Sequence, residues 1–151
     1  MQKKDCIFCK IISGEIPSAK IWEDKSYIAI LDVFPNTKGM TLVIPKNHYD
    51  SYLFDMPDKA YSELLLACKK VGKILDKKLK IIRTAMVAEG LGVNHAHIKL
   101  YPMHGIDKHY KEMWNTDEVY FEINPGYLIT KRGPKADSKE LEKLAKQIRG
   151  K

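Results

Sequence analysis

The apolar residues of this chain fall into two periods, and the boundaries between them outline the fold. From Asp58 to Lys78 a stripe of Tyr61, Leu64, Leu65, Cys68, Val71 and Leu75 recurs every three or four positions, with lysines and Glu63 outside it. That spacing predicts one long amphipathic helix. Ile7, Phe8, Ile11 and Ile12 repeat it on a smaller scale, giving a short helix over Cys6–Ser13 that Gly14-Glu15-Ile16-Pro17 ends. Elsewhere the pattern shortens to that of strands. Lys20–Glu23 and Tyr27–Leu31 are rich in β-branched and aromatic residues and flank Asp24-Lys25-Ser26, which predicts a hairpin. Met40–Ile44 reads as a further strand, entered through Pro35-Asn36-Thr37-Lys38-Gly39 and closed by Pro45. Ile81–Ala88 and His95–Tyr101 complete the set, joined through Glu89-Gly90-Leu91-Gly92. Hairpins and one long helix without repeated βαβ units make the fold class α+β, with a mostly antiparallel sheet.

Beyond Pro102 the pattern weakens. Glu118–Phe121 and Tyr127–Thr130 read as strands around Asn124-Pro125-Gly126, and Asp137–Ile148 as a helix opened by a capping box of Asp137 and Glu140. The expected organisation is a single domain over 1–104 with an extension, 105–151, packed on it.

Composition narrows the class. Of 151 residues, 44% are hydrophobic and 30% charged, the balance of a soluble globular protein. No apolar run approaches the roughly 20 residues of a membrane span, and the N-terminus has no secretory apolar core, so a cytoplasmic location is expected. Three cysteines without an export signal point to reduced thiols that are free to bind metal. The formal net charge of +7 favours anionic partners. Its lysines have the spacing of solvated helix faces, with no interleaved aromatics, so nucleic acid is not the expected partner, and the charge fits nucleotides or polyphosphates equally.

The chemistry concentrates in Val93-Asn94-His95-Ala96-His97-Ile98-Lys99-Leu100-Tyr101-Pro102. On a regular strand His95, His97 and Lys99 share one face at intervals of roughly 6.5 to 7 Å, while Ala96, Ile98 and Leu100 share the other. Two imidazoles and an ammonium in a row are costly for stability alone and suit the gripping of an anion. A neutral imidazole attacks phosphorus when an acceptor, such as a backbone carbonyl, holds its second nitrogen and fixes the tautomer. Lys99 and the backbone amides from Gly90 to Val93 are candidates to balance charge on the phosphoryl oxygens. Cys6 and Cys9 form a C-x-x-C pair whose spacing fits zinc, a redox pair or two buried thiols. Asp32, placed before a turn, also fits an Asx turn, and Cys68 lies on the apolar stripe as core.

Several ordered motifs then carry a family resemblance. They are Cys6-Ile7-Phe8-Cys9-Lys10-Ile11-Ile12-Ser13-Gly14-Glu15-Ile16-Pro17, Asp32-Val33-Phe34-Pro35, Thr41-Leu42-Val43-Ile44-Pro45-Lys46-Asn47-His48 and His95-Ala96-His97-Ile98-Lys99. Over roughly residues 5 to 104 the chain resembles the histidine-triad (HIT) family of nucleotide hydrolases and transferases, in its zinc-containing bacterial-type branch. The resemblance implies a five-stranded antiparallel sheet with two main helices, paired into a homodimer. It makes His97 the covalent nucleophile, with Lys99 and His95 beside it, and Asp32 the partner of the ribose hydroxyls. It sets Ile21, Trp22 and Ile30 near the base pocket and Gly92 and Val93 at the phosphate loop, where many members carry a serine at the position of Gly92. It completes a Cys2His2 zinc site from Cys6, Cys9, His48 and His95. The implied activity is cleavage at the α-phosphate of purine-nucleoside phosphoramidates, adenylates or dinucleoside polyphosphates. A binding protein without catalysis and a transferase using another acceptor are the rival readings. Lys99 stands where the pattern has its third histidine and Met40 where it has an upstream one, and the connection Glu89 to Asn94 is short.

Overall fold

The computed structural model describes residues 3–106 and 120–125. The chain divides into two compact units, Met1–Tyr110 and Lys111–Lys151. All elements named below belong to the first. They are α1 (Ile7–Ser13), β1 (Lys20–Glu23), β2 (Tyr27–Leu31), β3 (Thr41–Pro45), a 3-10 turn (Leu53–Asp55), α2 (Asp58–Leu79), β4 (Thr84–Val87) and β5 (Ile98–Pro102). The strands form one five-stranded sheet in the order β1-β2-β3-β5-β4, and every neighbouring pair is antiparallel. This is the α+β class with an antiparallel sheet that the periodicity predicted, and the five strands and two helices are those the resemblance implied.

Each face of the sheet has its own core. On one face α2 lays Ala60, Leu64, Ala67, Cys68, Val71 and Leu75 against Ala29, Val43, Ala96, Ile98 and Leu100. On the other, Phe8 and Cys9 of α1 meet Ile28, Ile30, Leu42 and Ile44. Successive residues of a strand point to opposite faces, so β2 and β3, covered on both, are apolar without alternation. The helix stripe is as expected, with Tyr61 and Leu65 at its edge. Complete burial of Leu64 and Val71 withdraws enough apolar surface to stabilise the α2–sheet contact by about 2 kcal/mol for each side chain.

The helix ends have local causes. Gly14, at φ 84°, closes α1 by donating its N–H to the Ile11 carbonyl. Lys80 closes α2 in the same left-handed region at φ 55°, donating to the Asp76 carbonyl, and the Asp76 carboxylate accepts the Thr84 hydroxyl at 2.8 Å. The turn out of α2 therefore takes up Ile81 to Arg83, and β4 begins later than the predicted strand over Ile81–Ala88.

The strand predicted from His95 is also shorter. His95 donates its N–H to the Val93 carbonyl and Ala96 to the Tyr49 carbonyl, so residues 95–97 leave the sheet ladder and β5 starts at Ile98. Alternation of faces nevertheless continues through them. Ala96 lies in the α2-side core, while His95 and His97 lie against Phe8 of α1. Tyr120 and Phe121, the described part of the strand expected at Glu118–Phe121, are not in a strand. The strand expected at Tyr127–Thr130 and the helix at Asp137–Ile148 lie outside the described residues. Among the described residues no helix is long and apolar enough to cross a membrane.

Candidate functional site

Two clusters share the segment before β5. In the first, one ligand atom from each of Cys6, Cys9, His48 and His95 lies within 4.8 Å of all the others. Cys6 Sγ stands 3.3 Å from His95 Nδ1, and Cys9 Sγ stands 3.4 Å from His48 Nδ1 and 3.6 Å from His95 Nδ1. A tetrahedral ion with metal–sulfur and metal–nitrogen bonds of about 2.3 and 2.0 Å spaces sulfur and nitrogen roughly 3.5 Å apart, so the observed separations fit it. The proton positions fit as well. His95 Nε2 lies 2.9 Å from the Pro45 carbonyl, which only accepts, so Nε2 carries the proton and Nδ1 turns a lone pair toward the sulfurs. Burial, opposed by that hydrogen bond, pushes the His95 pKa down to about 4, which keeps the ring neutral. Burial pushes the Cys9 thiol up, against the Lys3 backbone N–H that points at its sulfur from 3.3 Å. The described residues therefore offer a group that could hold a metal ion.

Asp50 backs this corner. Its Oδ1 receives Lys3 Nζ at 2.7 Å and Asn94 Nδ2 at 3.2 Å. The same oxygen lies 3.4 Å from His48 Nε2, a buried nitrogen without a hydrogen bond. The Lys3 ammonium beside it holds the Asp50 carboxyl below the usual range.

The second cluster surrounds His97. Its ring is buried, edge-on to Phe8 with centroids 5.2 Å apart. Nδ1 stands 2.7 Å from the backbone carbonyl of His95. That carbonyl requires a proton on Nδ1 and leaves Nε2 with a lone pair, the arrangement a nucleophilic imidazole needs. Burial, with Lys99 assisting, lowers the His97 pKa, which favours the neutral ring.

Lys99 is already engaged. Its ammonium pairs with the Glu89 carboxylate, both side chains being largely buried, and the pairing outweighs burial to raise the Lys99 pKa. Val87 of β4 is registered against Lys99 of β5, so two residues further on Glu89 belongs to the same face as Lys99 and His97. Sequence reading missed Glu89 because pairing register is not visible in one chain. Asp50 and Asn94 were missed likewise, as their partners are remote in sequence.

The other expected residues are placed as follows. Asp32 Oδ1 accepts the Phe34 backbone N–H at 2.8 Å, so the Asx turn is present, and its charge still acts on His97 and Lys99. Ile30 joins the α1-side core with Val93, whereas Ile21 and Trp22 pack with the α2-side core, so the structure does not bring these residues onto one lining. Met40 is buried and gives its carbonyl to the Asp32 N–H at 2.9 Å. Gly92 has open space about it, while Gly90, at φ 70°, lies so close to Ser51 that a Cβ would meet its carbonyl oxygen at 2.6 Å. Cys68 is core, as expected, and burial pushes its thiol up to about 12. His104 Nε2 donates to the Lys38 carbonyl at 2.8 Å. A cavity of about 250 Å³ is lined by Tyr52, Phe54, Tyr61, Leu65, Met86 and Ile98, and Glu89 stands at its wall.

Comparison with known proteins agrees with this geometry. An uncharacterised HIT-like protein of Methanocaldococcus jannaschii is 39% identical over 128 residues, spanning 78% of this chain and 98% of the relative. An adenosine 5′-monophosphoramidase of Saccharomyces cerevisiae is 38% identical over 99 residues, 64% of this chain and 61% of the relative. The crystal structure of a Streptococcus mutans protein superposes with a TM-score of 0.71 at 31% identity, covering 98% of this chain and 85% of that one. The HIT domain model matches residues 13–105, most of the first unit and both histidines ahead of β5, and on that match the chain belongs to the HIT-domain family.

Proposed function

We propose that the protein hydrolyses nucleotide adducts at the α-phosphate, with His97 as nucleophile, acting on purine-nucleoside phosphoramidates, adenylates or dinucleoside polyphosphates. The observation that carries this reading is the 2.7 Å approach of His97 Nδ1 to the His95 carbonyl. It commits the Nδ1 proton and leaves Nε2 free to attack. Nε2 would form a bond to phosphorus as the bond to the leaving group breaks, and an amine leaving group would take a proton from water as it departs. Water would then break the His97–phosphorus bond, releasing the nucleoside monophosphate and restoring the ring. Charge on the non-bridging oxygens would be met by the backbone amides between Gly90 and Val93 and by the Lys99 N–H donors that its pairing with Glu89 leaves over. The Asp32 oxygen outside the Asx turn would take the ribose hydroxyls. The phosphoramidase name of the yeast relative supports the reaction class.

Zinc is the proposed occupant of Cys6, Cys9, His48 and His95, as thiolate and imidazole donors in a closed set of four favour it. Its contribution would be structural, tying α1 and the segment after β3 to the residues that precede β5. A homodimer and a cytoplasmic location belong to the same proposal. The test is turnover of adenosine 5′-monophosphoramidate by the wild type and by His97→Ala. Loss of turnover in a variant that stays folded supports the reading, and equal turnover overturns it.

A further inference from the structure

The charges that act most strongly on His97 are those of Lys99, Glu89 and Asp32, one cation against two anions. Whatever is bonded to a phosphorus atom at His97 must lie within their field. Lys99 and Glu89 are in contact, with side chains only 23% and 18% exposed, so water screens them less than it screens a surface pair. Gly90 approaches Ser51 so closely that a Cβ would meet its carbonyl oxygen at 2.6 Å, and Ser51 gives its N–H to Asn94 Oδ1 at 2.9 Å, so both ends of the connection from 90 to 94 lie beside one residue. The Glu89 carboxylate, paired with Lys99, keeps the ammonium from acting as a free cation.

We propose that Glu89 is a specificity-determining residue that acts through Lys99: by cancelling the ammonium beside His97, it makes the site discriminate against nucleotide adducts whose leaving group is an anionic phosphate chain, in favour of those that release an amine. The inference rests on the hydrolase reading for its reaction. The discrimination itself follows from the summed charge of the pair. That sum is zero in the wild type, +1 in Glu89→Gln, −1 in Lys99→Met and zero again in the double variant.

The experiment compares kcat/KM for adenosine 5′-monophosphoramidate and for diadenosine tetraphosphate in these four proteins, with dissociation constants for AMP and ATP measured beside them. One unit of charge at this depth shifts the preference about tenfold. Glu89→Gln is expected to move the preference toward the tetraphosphate, and ATP binding relative to AMP upward, by about that factor. Lys99→Met is expected to move both the other way. The double variant returns to within about threefold of wild type, a reversal that a merely structural ion pair does not produce. Both single variants moving in one direction, or Glu89→Gln leaving both ratios unchanged, overturns the assignment. If wild type turns over neither substrate while the binding ratios follow the charge order, the hydrolase reading fails and the role of Glu89 stands.

Discussion

His95 and His97 are two residues apart, on the same side of the chain and against the same phenylalanine, yet they are set up for opposite work. His95 has its Nε2 proton taken by the Pro45 carbonyl, and its Nδ1 faces two sulfurs. His97 has its Nδ1 proton taken by the His95 carbonyl, and its Nε2 is left over. Which backbone oxygen each ring reaches decides which nitrogen is available. The first ring belongs to a closed corner in which four donors face one another. The second is also buried, but the charges around it are mixed in sign. The difference teaches that residue type and spacing nominate a histidine, while the hydrogen bond to its far nitrogen assigns its task.

The sharpest way to break this comparison is to delete each ring's function separately. His97→Ala is expected to lower kcat/KM for adenosine 5′-monophosphoramidate by at least about a thousandfold, since no other group replaces a lost nucleophile. Its melting temperature should stay within about 5 °C of wild type, because the Cys6, Cys9, His48 and His95 corner is untouched. Steady-state kinetics with a thermal melt checks both. Damage at the other corner should read out in stability. Elemental analysis of the purified protein is expected to give about one zinc per chain, and Cys9→Ser or chelation should remove it and lower the melting temperature by about 10 °C. Zinc-free protein with an unchanged melt would remove the structural role.

Much of the contrast could be read from the chain alone. The helical stripe, the five strands and the C-x-x-C pair are local patterns, and the structure places all of them close to where periodicity puts them. What stayed hidden depends on pairing. The insertion of β5 between β3 and β4 brings Glu89 to Lys99, and no local spacing announces it. The departure of His95 to His97 from the ladder comes from a bond to Tyr49, far back in the sequence. The division of Ile21 and Trp22 from Ile30 follows from the irregular register between Lys20 and Trp22.

Smaller effects sharpen the picture. Gly90→Ala puts a side chain at φ 70° and its Cβ against the Ser51 carbonyl, so a loss of about 2 kcal/mol is expected, with faster amide exchange across 89–94. Gly92→Ala, with nothing within 4 Å, should be close to neutral in the same denaturation series. A similar cost at both positions would contradict the close approach of Gly90 to Ser51. The mildest test concerns Cys68. With its pKa raised from 9.0 to about 12 by burial, it should react with iodoacetamide at pH 8 about a thousandfold more slowly in the folded chain than in urea. The folded chain holds that proton longer than the unfolded one, so the thiol's contribution is intact below pH 9.0 and is lost as the pH rises toward about 12. Urea melts across that range check the sign.

The central claim is the opposite protonation of the two rings, and nitrogen-15 NMR of the imidazoles reads it directly. In metal-loaded protein at neutral pH, the expected spectrum shows His97 with its proton on Nδ1 and a bare Nε2, and His95 with its proton on Nε2. A His97 ring carrying its proton on Nε2, or on both nitrogens, would contradict the account, since no lone pair would then remain to attack phosphorus.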